Sequence, residues 1–335
     1  MSSRDIWVLA EQEGGSLLAV SFELLARGQA LAAAAESSLV AVVIGGSLAD
    51  DELARLNRAG ADLVIAVEHE TLAHFLVEPH ARCLARLVKE RDPAVLLAAA
   101  TTSGRTVMPY LAAMVGTGLT ADCTELAIDP ENGQLLQTRP AIGGNILATI
   151  RTPNHRPQMA TVRPHSGPRA SETSERSGRL ERIAACPEDL ASRTRRVGFR
   201  PAEDEVALQD AERVVVTGRG LRKGDNLSVV AELAEALGAA VGGSRDAVDR
   251  GWLTYPHQVG LSGKTISPRL YIGAGVSGAI QHLAGMQTSE HIVAVNSDPD
   301  AQIFRVAELG IVGDMHEVLP VLARKLNERR RKGGE

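Results

Sequence analysis

A chain of 335 residues has room for about two domains. Hydrophobic residues make up 44% of it but aromatics only 3%, so its cores must be built from Ala, Val, Leu and Ile, which suit parallel strands covered by helices. Lys and Arg number 36 against 41 Asp and Glu, a net charge of −5 that gives no electrostatic ground for nucleic-acid binding, and no apolar run is long enough to enter a membrane as a span.

The N-terminus, Met1 to Ala10, lacks the basic-then-apolar order of a signal peptide. Ile6–Ala10 reads as the first strand, Glu23–Glu36 as a helix, and Leu39–Ile44 as a second buried strand closed by Gly45 and Gly46. Asp50–Ala59 follows as a helix capped by Asp50, Asp62–Val67 as a strand, and Thr71–Arg91 as a long helix interrupted by Pro79. Ala94–Ala99 is the next strand, followed by a turn at Thr101–Gly104 and another helix. This alternation predicts a parallel sheet with helices on its faces. Beyond residue 118 a turn cluster at Asp129–Gly133 separates short segments, and Asn145–Ile150 and Gln158–Val162 read as strands. Antiparallel or mixed additions to the sheet are expected there, closing an N-terminal α/β domain over residues 1–163.

Residues 164–211 are rich in Ser, Arg, Glu and Pro and poor in apolar residues. Apart from a short strand at Ile183–Ala185 they read as a surface connector. A second α/β unit occupies residues 212–335. Its strands are Arg213–Thr217, Ala239–Val241, Leu270–Ile272, His291–Asn296 and Ile311–Gly313, and its helices are Asn226–Leu237 and Glu317–Leu326. The basic run Arg329–Lys332 suits the negative end of the closing helix. Cys83, Cys123 and Cys186 are far apart and no CxxC occurs, which argues for a reduced, cytoplasmic setting and against an iron–sulfur or zinc framework.

Gly273–Gly278 has the spacing GxGxxG, after a strand and before a short helix. Such glycines let backbone approach a pyrophosphate, and a helix N-terminus adds N–H groups and a favourable dipole. Tight strand-to-helix packing is the plainer reading of the same spacing. The next strand ends in Asn296, where an NAD site prefers Asp or Glu for the ribose, and Gln281 and His282 follow the motif directly. Gly260–Thr265 ends like a P-loop, but Gln258 stands where that loop needs glycine. Gly242–Asp246 follows a strand, so Arg245 falls at a sheet's carboxyl edge, where it can hold an anion; an exposed loop Arg is the plainer reading. No GxSxG elbow and no HExxH pair occurs, so neither catalytic nor metal-ligating residues are assigned. Asp122 and Cys123 read as a turn and a buried thiol.

The runs Gln258–Gly260, Leu270–Ile272 and Ser277–Met286, continued by Ala294–Asn296, Asp298–Pro299 and Gly313–Asp314, are similar to the FAD-site signature of the alpha subunit of electron transfer flavoproteins. Gly218–Leu221, Val241–Arg245 and Ala247–Asp249 fit it too, as do Val8–Glu11 and Glu23–Leu25 near the N-terminus, so the resemblance covers nearly the whole chain. It implies two parallel-sheet domains, the C-terminal one a Rossmann-like FAD-binding domain. It implies that Arg245 lies over the isoalloxazine and favours its reduced, anionic forms. Ser262 would donate a hydroxyl toward flavin N5, where many members carry Thr, and His282 would point at the N1–C2 carbonyl region. Gln258, Val259, Gly260 and Leu261 would contact the flavin and ribityl chain. Gly275, Ser277, Gly278, Ala279 and Gln281 would line the ribityl and pyrophosphate region, and Ser244 would support it. Asn296 and Asp314, with Met315 beside it, would hold the adenosine half.

The resemblance also implies a heterodimer with a beta subunit, paired through the N-terminal domain, and electron relay rather than stand-alone catalysis. Electrons would come from dehydrogenases, or from NADH through a beta-subunit flavin, and pass to acceptors such as a quinone reductase, ferredoxin, flavodoxin or acyl-CoA dehydrogenase, with fatty acid beta-oxidation as one setting. Leu261–Ser262 replaces a Gln–Thr pair of many respiratory members, and Ser297 sits where Lys often occurs. Arg139–Asn145 and His155–Pro164 look like the anaerobic and nitrogen-fixation branch, which includes electron-bifurcating members. Bifurcation stays open, because its second flavin and NADH site would lie mainly on the beta subunit. Two other classes stay open as well: a self-sufficient FAD- or NAD-dependent dehydrogenase, and a nucleotide-binding module without redox work.

Overall fold

The computed structural model describes residues 5–140, 146–164, 166–174, 176–198, 208–209 and 211–332. It divides into two compact units, Met1–Phe199 and Arg200–Glu335.

In the first unit, Ile6–Ala10, Leu39–Gly45, Val95–Ala99 and Gln158–Val162 are buried at every position. Such continuous apolar runs need cover on both faces, as central strands of a parallel sheet have. The sheet runs in the order Arg179–Ala184, Leu63–Glu68, Leu39–Gly45, Ile6–Ala10, Val95–Ala99, Gln158–Val162, Leu119–Cys123, with every pairing parallel. Side chains alternate between faces. Ile6 and Val8 pack with the helices Ala19–Ala34 and Asp50–Arg58, whereas Trp7 and Leu9 pack with Val77–Arg91 and Thr102–Val115.

The expected antiparallel additions are not part of this sheet. Glu125–Ile128, Leu135–Pro140 and Leu147–Ile150 form a separate antiparallel sheet, where Glu125–Ile128 alternates exposed and half-buried positions. Ala141–Asn145, the end of one resemblance run and the start of one predicted strand, lies outside the described residues. Within the predicted connector, Arg179–Ala184 is an edge strand, its Arg and Glu side chains turned outward as edges tolerate. Residues 165, 175, 199–207 and 210 of that stretch lie outside the described residues. Pro79 does not interrupt its helix: it falls in the first turn of Val77–Arg91, where an N–H has no helical acceptor to lose. Ala49, not Asp50, is the N-cap of Asp50–Arg58, and Asp50, Asp51 and Glu52 occupy the first turn, where acidic charge suits the dipole.

In the second unit, five parallel strands lie in the order Ala240–Gly243, Arg213–Thr217, Leu270–Ala274, His291–Asn296, Leu309–Val312. By sequence this is 2-1-3-4-5, so the winding reverses between Arg213–Thr217 and Leu270–Ala274. One face is covered by the helices Leu227–Leu237 and Met315–Lys332. The other is covered by irregular chain, through Val259, Ile266, Met286 and Ile303 packed on Val214, Val216 and Tyr271. The carboxyl ends of the two strands at the reversal open a crevice, the place where such sheets bind ligands.

Candidate functional site

Glycine turns follow both strands at the reversal. Gly275 has φ +64°, and a Cβ built on it would lie 2.6 Å from the Gly220 Cα and 2.9 Å from Met315 Sδ. The Gly220 amide donates to the Gly275 carbonyl at 3.0 Å. Gly278, at φ +82°, lets the Ile303 amide come within 2.2 Å of where its Cβ would be. These glycines bring two loops backbone to backbone and leave space above them.

That space is a cavity of about 920 Å³, lined by Ser244 and Arg245, by Gln258 through Ser262, by Gly275, Ser277, Ala279, Gln281 and His282, and by Asn296. Of the residues expected in the site, Gly278, Asp314 and Met315 stand outside this lining. Gly278 is a packing residue. Met315 is buried in the core under the glycine turn. Asp314 caps the closing helix: its Oδ1 accepts from the His316 amide at 2.9 Å and its Oδ2 from Arg222 Nη2 at 2.8 Å. The His316 amide, with the Arg222 guanidinium, holds its carboxyl below the usual carboxylate range.

Arg219, Arg222, Asp246, Asp249, Ser297 and Asp298 also line the cavity, although none was among the expected site residues. The signal for Arg219 lay in the sequence: Gly218–Arg219–Gly220 after the first strand of the domain repeats the glycine spacing of the later motif. Arg222 has no such signal. It is a non-glycine residue at φ +66°, and its partner Asp314 is distant in sequence. The helix after the GxGxxG motif is one turn only, Ile280–Leu283, so its dipole is weak. Positive charge in the cavity comes from three guanidinium groups instead. Arg245 begins the short helix Arg245–Asp249, where it is 73% exposed and pairs with Asp249 at 3.3 Å.

The loop resembling a P-loop is closed on itself. Gly260 N donates to the Lys264 carbonyl, Gly263 N to Gly260, Lys264 N to Gln258, and Leu261 N to Gln281. Amides already bonded to carbonyls are not available to cradle a phosphate. Within the same loop, buried Gln258 donates from Nε2 to Ser262 Oγ at 3.1 Å, which leaves the Ser262 hydroxyl proton free of that bond.

His282 is 6% exposed. Its Nδ1 lies 3.0 Å from the Val259 carbonyl and its Nε2 2.7 Å from Tyr271 Oη. Burial pushes its pKa down to about 4, against the opposing Val259 bond. Asn296 donates from Nδ2 to the Val276 carbonyl at 2.8 Å and accepts the Asp298 amide at 3.0 Å, tying the loops on either side of its strand end.

In the first unit, a cavity of about 550 Å³ lies at the carboxyl end of Ile6–Ala10. Burial raises the pKa of Glu11 there, although Thr101 donates to it at 2.6 Å. Asp122, at φ +62°, is raised by burial but lowered further by the Arg163 and Arg105 guanidinium groups, and Cys123 beside it is fully buried.

Residues 6–188 match the electron transfer flavoprotein domain, and residues 207–287 match the electron transfer flavoprotein FAD-binding domain. The chain is 45% identical to the electron transfer flavoprotein subunit alpha of Thermoanaerobacterium thermosaccharolyticum, over 97% of this chain and 98% of that protein. It is 41% identical to Protein FixB of Clostridium saccharobutylicum, over 97% of both. It is 39% identical to the lactate dehydrogenase (NAD(+),ferredoxin) subunit LctC of Acetobacterium woodii, over 95% of this chain and 76% of that protein. With sequence relatives along its whole length and both domains matched, the chain belongs to the electron transfer flavoprotein family, among its alpha subunits, and its C-terminal domain is the family's FAD-binding domain.

Proposed function

We propose that the cavity between Ser244 and Asp298 is where this alpha subunit holds the FAD of its electron relay. The observation that carries the reading is the convergence of three arginines, a buried neutral imidazole and a serine hydroxyl on one cleft at the reversal of the sheet. Its volume falls within the ~300–1,000 Å³ of cofactor clefts. The close contact of Gly220 with Gly275 supplies the backbone floor a dinucleotide needs. FAD, when bound, takes up and releases electrons singly or in pairs.

The chain's own groups divide the work. Arg219 and Arg222 stand beside the glycine turns, where they neutralise phosphate charge. Arg245 exchanges Asp249 for the cofactor and favours its electron-rich forms by charge-assisted contact. Ser262, held by Gln258, turns its hydroxyl proton toward the cofactor. Asn296 fixes the loops that close the adenosine end. The loop Gln258–Ser262 forms one wall of the cavity.

Electron transfer flavoprotein alpha subunits pair with a beta subunit. We read the N-terminal domain as the pairing domain, the cytoplasm as the site of action, and a dehydrogenase such as acyl-CoA dehydrogenase as a redox partner. A second reading, one arm of a bifurcating pair, is favoured by the likeness to a subunit named for NAD(+) and ferredoxin. The test is the visible spectrum of the protein co-purified with its beta subunit, with flavin counted per dimer. One FAD supports a simple relay, two support bifurcation, and a colourless dimer overturns the cofactor reading.

A further inference from the structure

Tyr271 lies on the strand Leu270–Ala274 beneath the cavity and is fully buried. Its hydroxyl sits 2.7 Å from His282 Nε2, and the two rings are 6.2 Å apart. The other ring nitrogen faces the Val259 carbonyl at 3.0 Å. A carbonyl oxygen only accepts, so Nδ1 must carry the hydrogen and donate it. In a neutral imidazole Nε2 is then a lone pair, and the Tyr271 hydroxyl must donate to it. The imidazolium form would set Nε2–H against the Tyr271 hydroxyl and turn the phenolic hydrogen away, where no other partner for it is seen among the described residues. The other ionisable groups lining the cavity are Arg219, Arg222, Arg245, Asp246, Asp249 and Asp298. None of them bonds a ring nitrogen of His282.

We propose that Tyr271 is a positioning residue that, together with the Val259 carbonyl, holds His282 as the neutral Nδ1–H tautomer, so that His282 presents no ring N–H to the cofactor. This rests on the cavity's being the FAD site. It narrows the expectation that His282 points at the N1–C2 carbonyl region. Both ring nitrogens are committed within the protein, to a strand on one side and a loop on the other. His282 thus contributes shape and a fixed neutral dipole, and the positive charge beside the cofactor is left to the arginines. Burial of both side chains supports the neutral pair, since each is more costly to ionise there.

The direct test is ¹⁵N–¹H correlation of histidine-labelled protein, with the His282 signals assigned by their loss in His282→Gln. The Nδ1–H pattern is expected between pH 6 and pH 8, roughly the span in which an ordinary histidine titrates, in apoprotein and holoprotein alike. An Nε2–H tautomer or an imidazolium at neutral pH overturns the proposal. Tyr271→Phe removes only the hydroxyl. It is expected to leave Nδ1–H on the Val259 carbonyl but Nε2 without its donor, so that the ring takes up a second proton at higher pH, and to shift the midpoint potential of the bound FAD. In a His282→Gln background the same substitution is expected to leave the potential where it was. Equal shifts in both backgrounds mean that Tyr271 acts only through packing, and sink the idea. Should Tyr271→Phe fold poorly, the wild-type tautomer decides. Wild-type heterodimer that binds no FAD defeats the cofactor reading instead, and the apoprotein spectrum still decides the role of Tyr271.

Discussion

Arg245 and Arg222 differ in how they are held, and the difference predicts different phenotypes. Arg245 has one exposed partner on its own helical turn, a pairing worth little in water, so it is free to change partner. Arg245→Ala is expected to lower the FAD midpoint potential, read by spectroelectrochemistry. Arg222 is held at 2.8 Å by Asp314, itself fixed by the His316 amide. Arg222→Ala is expected to weaken FAD retention about tenfold or more, as loss of a charged contact of ~1.5–3 kcal/mol implies, with little change in potential. Titrating FAD into the two apoproteins separates them; equal effects on both quantities would count against this division. The thiols give a check on burial. It raises Cys83 to about 12 and Cys123 to about 11, so neither is expected to react with a thiolate-selective reagent at pH 8 before unfolding. Rapid modification of two or more thiols in the native protein would contradict that packing. At this scale the sequence pointed to the cavity lining for some residues at strand ends, Ser244, Arg245 and Asn296, but not for Arg219, Ser297 and Asp298, which lie as close to strand ends. Arg222 was not legible because its partner Asp314 is distant in the chain, and the Tyr271–His282 bond was not because it depends on how the glycine turn folds the short helix back over its strand.

The elements show what periodicity can reveal. Strands apolar at every position, such as Ile6–Ala10 and Val95–Ala99, announce a doubly covered sheet, and they are where the reading placed them. Gln158–Val162 was legible as a strand but not as a parallel neighbour of Val95–Ala99, since pairing direction depends on the path of the chain between them. Arg179–Ala184 lies in a stretch that reads as polar connector with only a short strand at Ile183–Ala185, because an edge strand hides little apolar surface. In the C-terminal domain, the helix Met315–Lys332 is preceded by Asp314, which accepts the His316 amide. Asp314→Ala is expected to cost ~0.5–2 kcal/mol of stability, the usual loss for an N-cap. Asp314→Asn keeps the cap but not the charge. It is expected to restore most of the stability, measured by urea unfolding, while leaving Arg222 without its anion. If the Asn variant were as unstable as the Ala variant, the ion pair rather than the cap would be the larger contribution.

Among the described residues, each domain also carries one buried neutral histidine, His80 in the first and His282 in the second. Burial pushes both down to about 4, with backbone bonds to Leu76 and Val259 opposing. Unfolded, each returns to ~6.5. Below that pH the unfolded chain binds a proton that the folded chain does not. The stability they provide is therefore complete above ~6.5 and is lost as pH falls toward about 4, by up to ~1.4 kcal/mol per pH unit for each histidine. Glu11 works the opposite way in the first domain: its raised pKa lets the folded state take up a proton first as the solution is acidified. The histidine contribution is thus best isolated by difference. The chain's two tryptophans make this practical, since Trp7 lies in the first sheet and Trp252 in the second domain. In a Trp252→Phe background, fluorescence reports the first domain alone. Urea midpoints between pH 7.5 and 5.5 are expected to fall more steeply with His80 present than in His80→Gln, and the gap should open only below ~6.5. A gap of the same size at every pH would show that His80 acts there by packing and not by its proton. In the second domain the same acid window is expected to loosen His282 and release FAD, visible as loss of the flavin's circular dichroism, whereas His80→Gln should leave that release unchanged.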